Sequence, residues 1–175
     1  MKGPVLVHLI CGPTGAGKTT YARQLAEAEG AVRFSIDEWM SALFWMDAPD
    51  PFPPAWAMER VERAAALIWR TAKDICGRGV PCVLEIGLTT LEARARYAGL
   101  AMDAGFAVKL HLVDAPAEAR WERVEARNHA PGADQLPFKV TREMFDFVET
   151  MWRRPTAEEL AALDGVAVDT GRPRG

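Results

Sequence analysis

The sequence predicts an α/β fold in which helices cover a parallel sheet, and three observations predict it. Short apolar runs alternate with longer segments of helical period, glycines precede the predicted strands, and Gly12-Pro13-Thr14-Gly15-Ala16-Gly17-Lys18-Thr19 falls at a strand-to-helix junction. With 175 residues, 49% hydrophobic and 26% charged, the chain suits one domain, residues 1–175, with a sizeable core, and fibrous or disordered classes are excluded.

The elements follow in order. Val5 to Cys11 is a buried strand, and Lys18 to Glu29 a helix with apolar or small residues at Tyr21, Ala22, Leu25, Ala26 and Ala28. Val32 to Ile36 is the second strand. Pro54 to Gly77 supports one long helix, because Val61, Ala64, Ala65, Ile68, Ala72 and Ile75 share a side while Arg60, Glu62, Arg63, Arg70 and Lys73 mostly fall elsewhere. Pro81 to Ile86 is the third strand, Leu91 to Ala104 a helix with Gly105 placed to cap it, and Ala107 to Val113 the fourth strand. A helix begins after Pro116, Arg127 to Pro137 reads as a loop, and Val166 to Asp169 is the fifth strand. Gly30, Gly79, Gly105 and Gly165 stand at helix-to-strand turns. The Pro-rich stretch 48–54 looks like a boundary but lies too near the start to separate two domains.

The glycine run fits the phosphate-binding pattern GxxxxGK[ST]. At ordinary residue usage, chance would supply it in about one chain of this length in a hundred. Gly15 and Gly17 permit backbone angles closed to other residues and leave no side chain between main chain and ligand, so successive N–H groups can converge on phosphate oxygens. The following helix adds roughly half a positive charge at its N-terminus. Lys18 supplies a mobile full charge for the β and γ phosphates, and the Thr19 hydroxyl can ligate Mg²⁺. Gly12, Pro13, Thr14, Gly15, Ala16, Gly17, Lys18, Thr19 and Thr20 are therefore the expected contacts of a nucleotide triphosphate, with ATP the leading ligand.

Two acids stand at strand ends, where an open parallel sheet places its ligand crevice. Asp37 follows the second strand and suits the base that takes the proton of an attacking hydroxyl, or else an N-cap of the next helix. Glu85 ends the third strand, at the place of a Walker B acid, and can hold Mg²⁺ directly or through water, activate a hydroxyl, or pair with an arginine. In the helix after Pro116, Arg120, Arg123 and Arg127 fall within about 60° of one another, opposite Glu118, Glu122 and Glu125. Such like-charge spacing costs a few tenths of a kcal/mol per pair, which an anionic ligand would offset. Arginine suits phosphate because its planar fork binds two oxygens and stacks on a purine.

Composition narrows the partners. A net charge of -3 gives no footprint for duplex nucleic acid, so a small partner is favoured over a polyanion. Cys11, Cys76 and Cys82 have no metal-ligand spacing and fit a reducing cytoplasm. The apolar run Val5 to Cys11 is too short for a secretory signal or a membrane span. His8 and His111 read as core or sheet-face residues, and His129 in the loop as a candidate phosphate contact. Oligomeric state is open.

The combination GPTGAGKTT, FSIDEW, VLEIGL and RWERVEARN resembles the predicted ATP-binding kinases of the P-loop superfamily, related to zeta-toxin-like, chloramphenicol phosphotransferase-like and polynucleotide-kinase-like proteins. The resemblance covers nearly the whole chain. It implies a three-layer fold with five parallel strands in order 2-3-1-4-5, Asp37 as the acceptor-activating acid, and a lid of about 116–140 carrying Arg123 or Arg127. It also implies that Arg94 or Arg96 touches the acceptor or its phosphate. Glu85 departs from the usual aspartate, which weakens direct metal ligation. The resemblance puts the acceptor between strands two and three, in an acceptor-side insertion of about 38–58, where Trp39, Met40, Leu43, Phe44, Trp45, Met46, Phe52 and Trp56 suggest apolar pocket walls, a hydrophobic cover, or a partner surface. The reading is ATP-dependent transfer to a hydroxyl of a small-molecule acceptor. The alternatives are an NTP hydrolase or nucleotide-binding switch, and a polynucleotide 5′-hydroxyl kinase.

Overall fold

The structure is a computed structural model, and it describes residues 3–51, 53–129 and 139–171. The elements run β1 (Leu6–Cys11), α1 (Lys18–Glu29), β2 (Val32–Ser35), α2 (Ile36–Leu43), a single 3-10 turn (Trp45–Asp47), α3 (Pro54–Cys76), β3 (Cys82–Glu85), α4 (Leu91–Asp103), β4 (Ala107–Asp114), α5 (Ala117–His129), α6 (Arg142–Met151), α7 (Ala157–Ala162) and β5 (Val166–Asp169). The five strands are parallel, in order β2-β3-β1-β4-β5. β1 is central: Leu9 stands beside Leu84 of β3 on one side and Leu110 of β4 on the other.

Side chains alternate across a strand, so each strand serves two cores. Val7, Leu9 and Cys11, with Cys82, Leu84, Val108, Leu110 and Leu112, join the larger core, which also takes Ala64, Ala65, Ile68, Trp69 and Ala72 of α3 and Tyr97, Ala98 and Ala101 of α4. Ile10, Val83 and Val113 face the other way, against Ala22, Tyr21 and Leu25 of α1. A strand buried on both faces reads as a continuous apolar run, which is why β1 and β4 are plain in the sequence.

Local signals set the ends. Pro54 opens α3 at a position whose N–H has no helical partner anyway. The N–H groups of Gly105 and Phe106 close α4 onto the Met102 and Ala101 carbonyls, as the sequence predicts for Gly105. The ends of β1, β3 and β4 shift by one residue from expectation, and other differences have a clear local cause. Ile36 belongs to α2 and not to β2, because the Ser35 hydroxyl accepts from the Glu38 N–H and starts the helix one residue earlier. Arg127, Asn128 and His129 continue α5, so the loop expected from Arg127 begins later; its remainder, 130–138, lies outside the described residues. α6 and α7 lie in a stretch for which the sequence suggested no element, each opened by a threonine cap, Thr141 and Thr156.

Candidate active site

The carboxyl ends of β1, β2 and β3 deliver the phosphate-binding loop, Asp37 and Glu85 to the same edge of the sheet, the edge at which open α/β sheets bind ligands. The loop runs from Gly12 to Gly17 between β1 and α1. It is pressed against its neighbours: a Cβ on Gly12 would stand 2.0 Å from the Val113 carbonyl oxygen, and one on Gly15, at φ +77°, would stand 2.4 Å from that of Arg120. No other residue fits either place. The Lys18 ammonium folds back and donates to the Pro13 carbonyl at 2.9 Å. Desolvation pulls its pKa below the ordinary lysine value, against the opposing pull of Glu85 and Asp37. Burial pushes the Cys11 thiol, at the end of β1, up to about 12, so it is an inert small hydrophobe there.

The two carboxylates differ in their surroundings. Glu85 is buried; one oxygen accepts from the Thr19 hydroxyl at 2.7 Å and the other from Arg33 at 3.3 Å. Burial raises its pKa, and the hydrogen bond from Thr19 and the charges of Lys18 and Arg33 oppose the rise. Asp37 is exposed to the cavity and does not cap α2, since Ser35 does. Among the described residues it has no hydrogen-bond or ion-pair partner. Its neighbour Glu38 is held by Arg23 at 3.1 Å and by Arg33, and although burial works against it, the hydrogen bonds from these arginines lower its pKa.

A cavity of about 540 Å³ joins these groups, within the ordinary size of a small-molecule site. Thr14 to Thr20 form its floor, Arg23, Ser35, Asp37, Glu38, Ser41 and Glu85 one side, and Arg123, Arg127, Val124, Val140, Met144, Phe145 and Val148 the other. The three arginines of α5 separate in role. Arg123 donates to the Thr170 carbonyl at 2.7 Å and the Gly15 carbonyl at 3.3 Å. Arg127 has no hydrogen-bond or ion-pair partner among the described residues. Arg120 is buried and does not line the cavity; it donates to both Glu149 oxygens at 2.7 Å and to the Thr14 carbonyl at 3.1 Å, fastening α6 to α5 and to the loop. The like-charge stripe is thus offset at Arg120 by a carboxylate of α6.

Other expectations are corrected. Arg94 is fully buried and donates to both oxygens of Glu159, at 2.5 and 3.0 Å, and to the Arg153 carbonyl, so it staples α4 to α7 and is not an acceptor contact. Neither Arg96, which lies over Tyr97, nor His129, at the exposed end of α5, lines the cavity. Trp39, Phe44 and Trp45 of the aromatic-rich segment pack against the larger core, and Trp56 stacks with Trp45 and Arg60; none of them forms a wall of the cavity. Phe52 lies outside the described residues. Sequence reasoning missed Arg33, Ser41 and the apolar wall from α6. The pattern Ser35-x-x-Glu38 could have placed the start of α2 and so the side on which Ser41 falls.

The model of the AAA domain family matches residues 7–151. The chain belongs to that family. No curated protein matches this AAA-domain chain at a significant level. Solved structures share its fold: a gluconokinase from Sinorhizobium meliloti is 18% identical with a TM-score of 0.62 over 99% of this chain and 86% of that one. The Mycobacterium tuberculosis APS kinase CysC, in complex with AMPPNP and APS, is 16% identical with a TM-score of 0.62 over 98% and 92%. Chaetomium thermophilum Kti12, in complex with ADP-AlF3, is 16% identical with a TM-score of 0.65 over 94% and 88%. The AAA-domain chain thus has the P-loop kinase architecture in the strand order that the sequence resemblance implied.

Proposed function

We propose that the chain is an ATP-dependent phosphotransferase that moves the γ-phosphoryl group of ATP to a hydroxyl of a small-molecule acceptor. The observation that carries this reading is one cavity shared by the phosphate-binding loop, Lys18, Arg127 and an unpaired Asp37. The loop amides and the N-terminus of α1 bind the phosphates, and Lys18 leaves the Pro13 carbonyl to reach the β and γ oxygens. Asp37 accepts the proton of the acceptor hydroxyl as its oxygen attacks the γ-phosphorus; the bond to the β,γ-bridging oxygen breaks, and ADP leaves. Arg127 is free to meet the charge of the transition state, while Arg123 steadies the loop through Gly15 and Thr170.

The residues at the loop fit a magnesium ion. Thr19 and Glu85 bring two hard oxygens together at 2.7 Å. Among the described residues no group of three or more His, Cys, Asp or Glu could hold a metal, which agrees with the habit of Mg²⁺ of taking one or two protein oxygens and completing its shell with phosphates and water. Bound there, the ion neutralises phosphate charge. Both Glu85 oxygens are engaged and Asp37 is not, which supports transfer to a hydroxyl over activation of water for hydrolysis. Among the described residues no helix is long and apolar enough to cross a membrane. The three cysteines are free thiols, which supports placement in the reducing cytoplasm.

ATP turnover with and without a library of hydroxylated metabolites and antibiotics tests the reading. Strong stimulation by one compound with appearance of its phosphate ester is the expected result, and steady hydrolysis indifferent to all of them would mean a hydrolase or switch. Asp37→Asn should lower kcat by about 10²- to 10⁴-fold with the Kd for MgATP little changed.

A further inference from the structure

Four successive carbonyls of the phosphate-binding loop are each held by a side chain. That of Pro13 accepts from Lys18 Nζ at 2.9 Å, that of Thr14 from Arg120 at 3.1 Å, that of Gly15 from Arg123 at 3.3 Å, and that of Ala16 from the Thr170 hydroxyl at 2.7 Å. The peptides of the loop are trans, and in a planar trans peptide the N–H points away from the C=O, so a held carbonyl fixes the direction of the next amide. Lys18, Arg120 and Arg123 have further roles at the site. Thr170, the residue after β5, has none assigned.

Thr170 is itself firmly placed. Its N–H donates to the Asp114 carbonyl at 2.8 Å, which ties it to the end of β4, and Arg123 donates to its hydroxyl at 3.0 Å and to its carbonyl at 2.7 Å. The hydroxyl oxygen stands 2.7 Å from the Ala16 carbonyl oxygen and 3.2 Å from that of Asp114; it has one proton to give, and the nearer oxygen takes it. The bond it accepts from Arg123 polarises that hydroxyl and makes it a stronger donor. Its side chain also lies beside Gly17, where a Cβ would stand 3.7 Å from the hydroxyl oxygen. Gly17 lines the cavity and Thr170 does not, so the Ala16 carbonyl turns away from the cavity and the Gly17 N–H toward it. Without the hydroxyl little would keep this peptide from turning over, because glycine populates both signs of φ, and the turned peptide would present a carbonyl oxygen to phosphate.

We propose that Thr170 is a positioning residue for the nucleotide: it holds the Ala16–Gly17 peptide with its N–H toward the phosphates, so that the anion nest is set before the ligand arrives. This rests on the nucleotide-binding part of the reading above and is independent of the acceptor.

Calorimetric titration with the magnesium complexes of ATP and of inorganic tripolyphosphate tests it, in the wild type, Thr170→Val, Thr170→Ala and Thr170→Ser. The two variants without the hydroxyl should bind both ligands about tenfold more weakly, the loss of roughly one hydrogen bond, and Thr170→Ser should bind them as the wild type does. An equal loss for the two ligands is the mark of an amide aimed at phosphate, since tripolyphosphate has no base or ribose. Weaker ATP binding with unchanged tripolyphosphate binding would assign Thr170 to the nucleoside and overturn the proposal. A lower melting temperature with both affinities unchanged would reduce the hydroxyl to a part of the fold's stability and overturn it too. A wild type that binds neither ligand would remove the phosphate-binding reading itself, and the role of Thr170 with it.

Discussion

Gly15 shows how much of this site depends on what a residue lacks. Its φ of +77° lies where a Cβ costs roughly 1–2 kcal/mol, and the Cβ would also stand 2.4 Å from the Arg120 carbonyl oxygen. Relief would require the loop to move off α5, and with it the amides aimed at phosphate. Gly15→Ala should therefore weaken MgATP binding at least tenfold and lower the melting temperature, by calorimetry on the same sample; unchanged binding would mean that the loop tolerates displacement. The two acids carry the second lesson of this scale. Burial and two hydrogen bonds fix Glu85, while Asp37 keeps its lone pairs for a ligand, a difference decided by Arg33 and Thr19 rather than by strand position. Position alone put both carboxylates at the crevice; which one stays available depends on partners brought from β2 and α1.

At the scale of elements, α6 is the part that turns a phosphate loop into an enclosed site. It is held through Glu149, which meets the buried Arg120, and Arg120 in turn holds the Thr14 carbonyl of the loop. Glu149→Ala leaves the buried Arg120 guanidinium with only the Asp114 carboxylate, 3.9 Å from its Nε, and because that partner remains and Glu149 is partly exposed the cost should be about 2 kcal/mol, below that of a buried pair broken outright. Urea denaturation should read that loss, and the KM for ATP should rise with it. A loss below about 0.5 kcal/mol would mean that α6 docks by its apolar face alone. The strands and α1, α3 and α4 were legible because runs buried on both faces and long amphipathic helices leave strong periodic signals. α6 and α7, with 10 and 6 residues, leave weak ones, and the pairing of Arg120 with Glu149, 29 residues away, has no local trace at all. The aromatic segment misled for a physical reason. In α2, Met40 and Trp39 turn to the core and Asp37, Glu38 and Ser41 to the cavity, so apolar density near a site marked the support of the site and not its lining.

For the whole molecule, the smaller core beneath α1 carries a buried chain of polar rings. His8 Nδ1 lies 3.0 Å from His111 Nε2, and His111 Nδ1 lies 2.8 Å from the Tyr21 hydroxyl, while His8 Nε2 is buried with no partner among the described residues. A bare acceptor is cheaper to bury than a bare N–H, so His8 donates from Nδ1 to His111 and His111 donates to Tyr21. Neither ring accepts a second proton readily: burial lowers the pKa of His8, and burial together with the neighbouring His8 lowers that of His111 to about 4. In the unfolded chain both histidines take up protons near 6.5. The folded pKa values lie below the unfolded ones, so this contribution to stability is full above pH 6.5 and is lost as pH falls toward 4. For His111 alone the loss between pH 7.5 and 5 should be about 2 kcal/mol, in a window still above the titration of most carboxylates. Urea midpoints at pH 7.5, 6 and 5 should fall in that order, and His111→Gln should flatten the fall. The rings stand on β1 and β4 and reach Tyr21 of α1, so they link β1 and α1, the two arms that hold the phosphate loop, and MgATP affinity should weaken over the same interval. Equal midpoints at pH 7.5 and 5 would mean that the folded protein accommodates an imidazolium in this core, and the proposed link between the rings and the loop would then be removed.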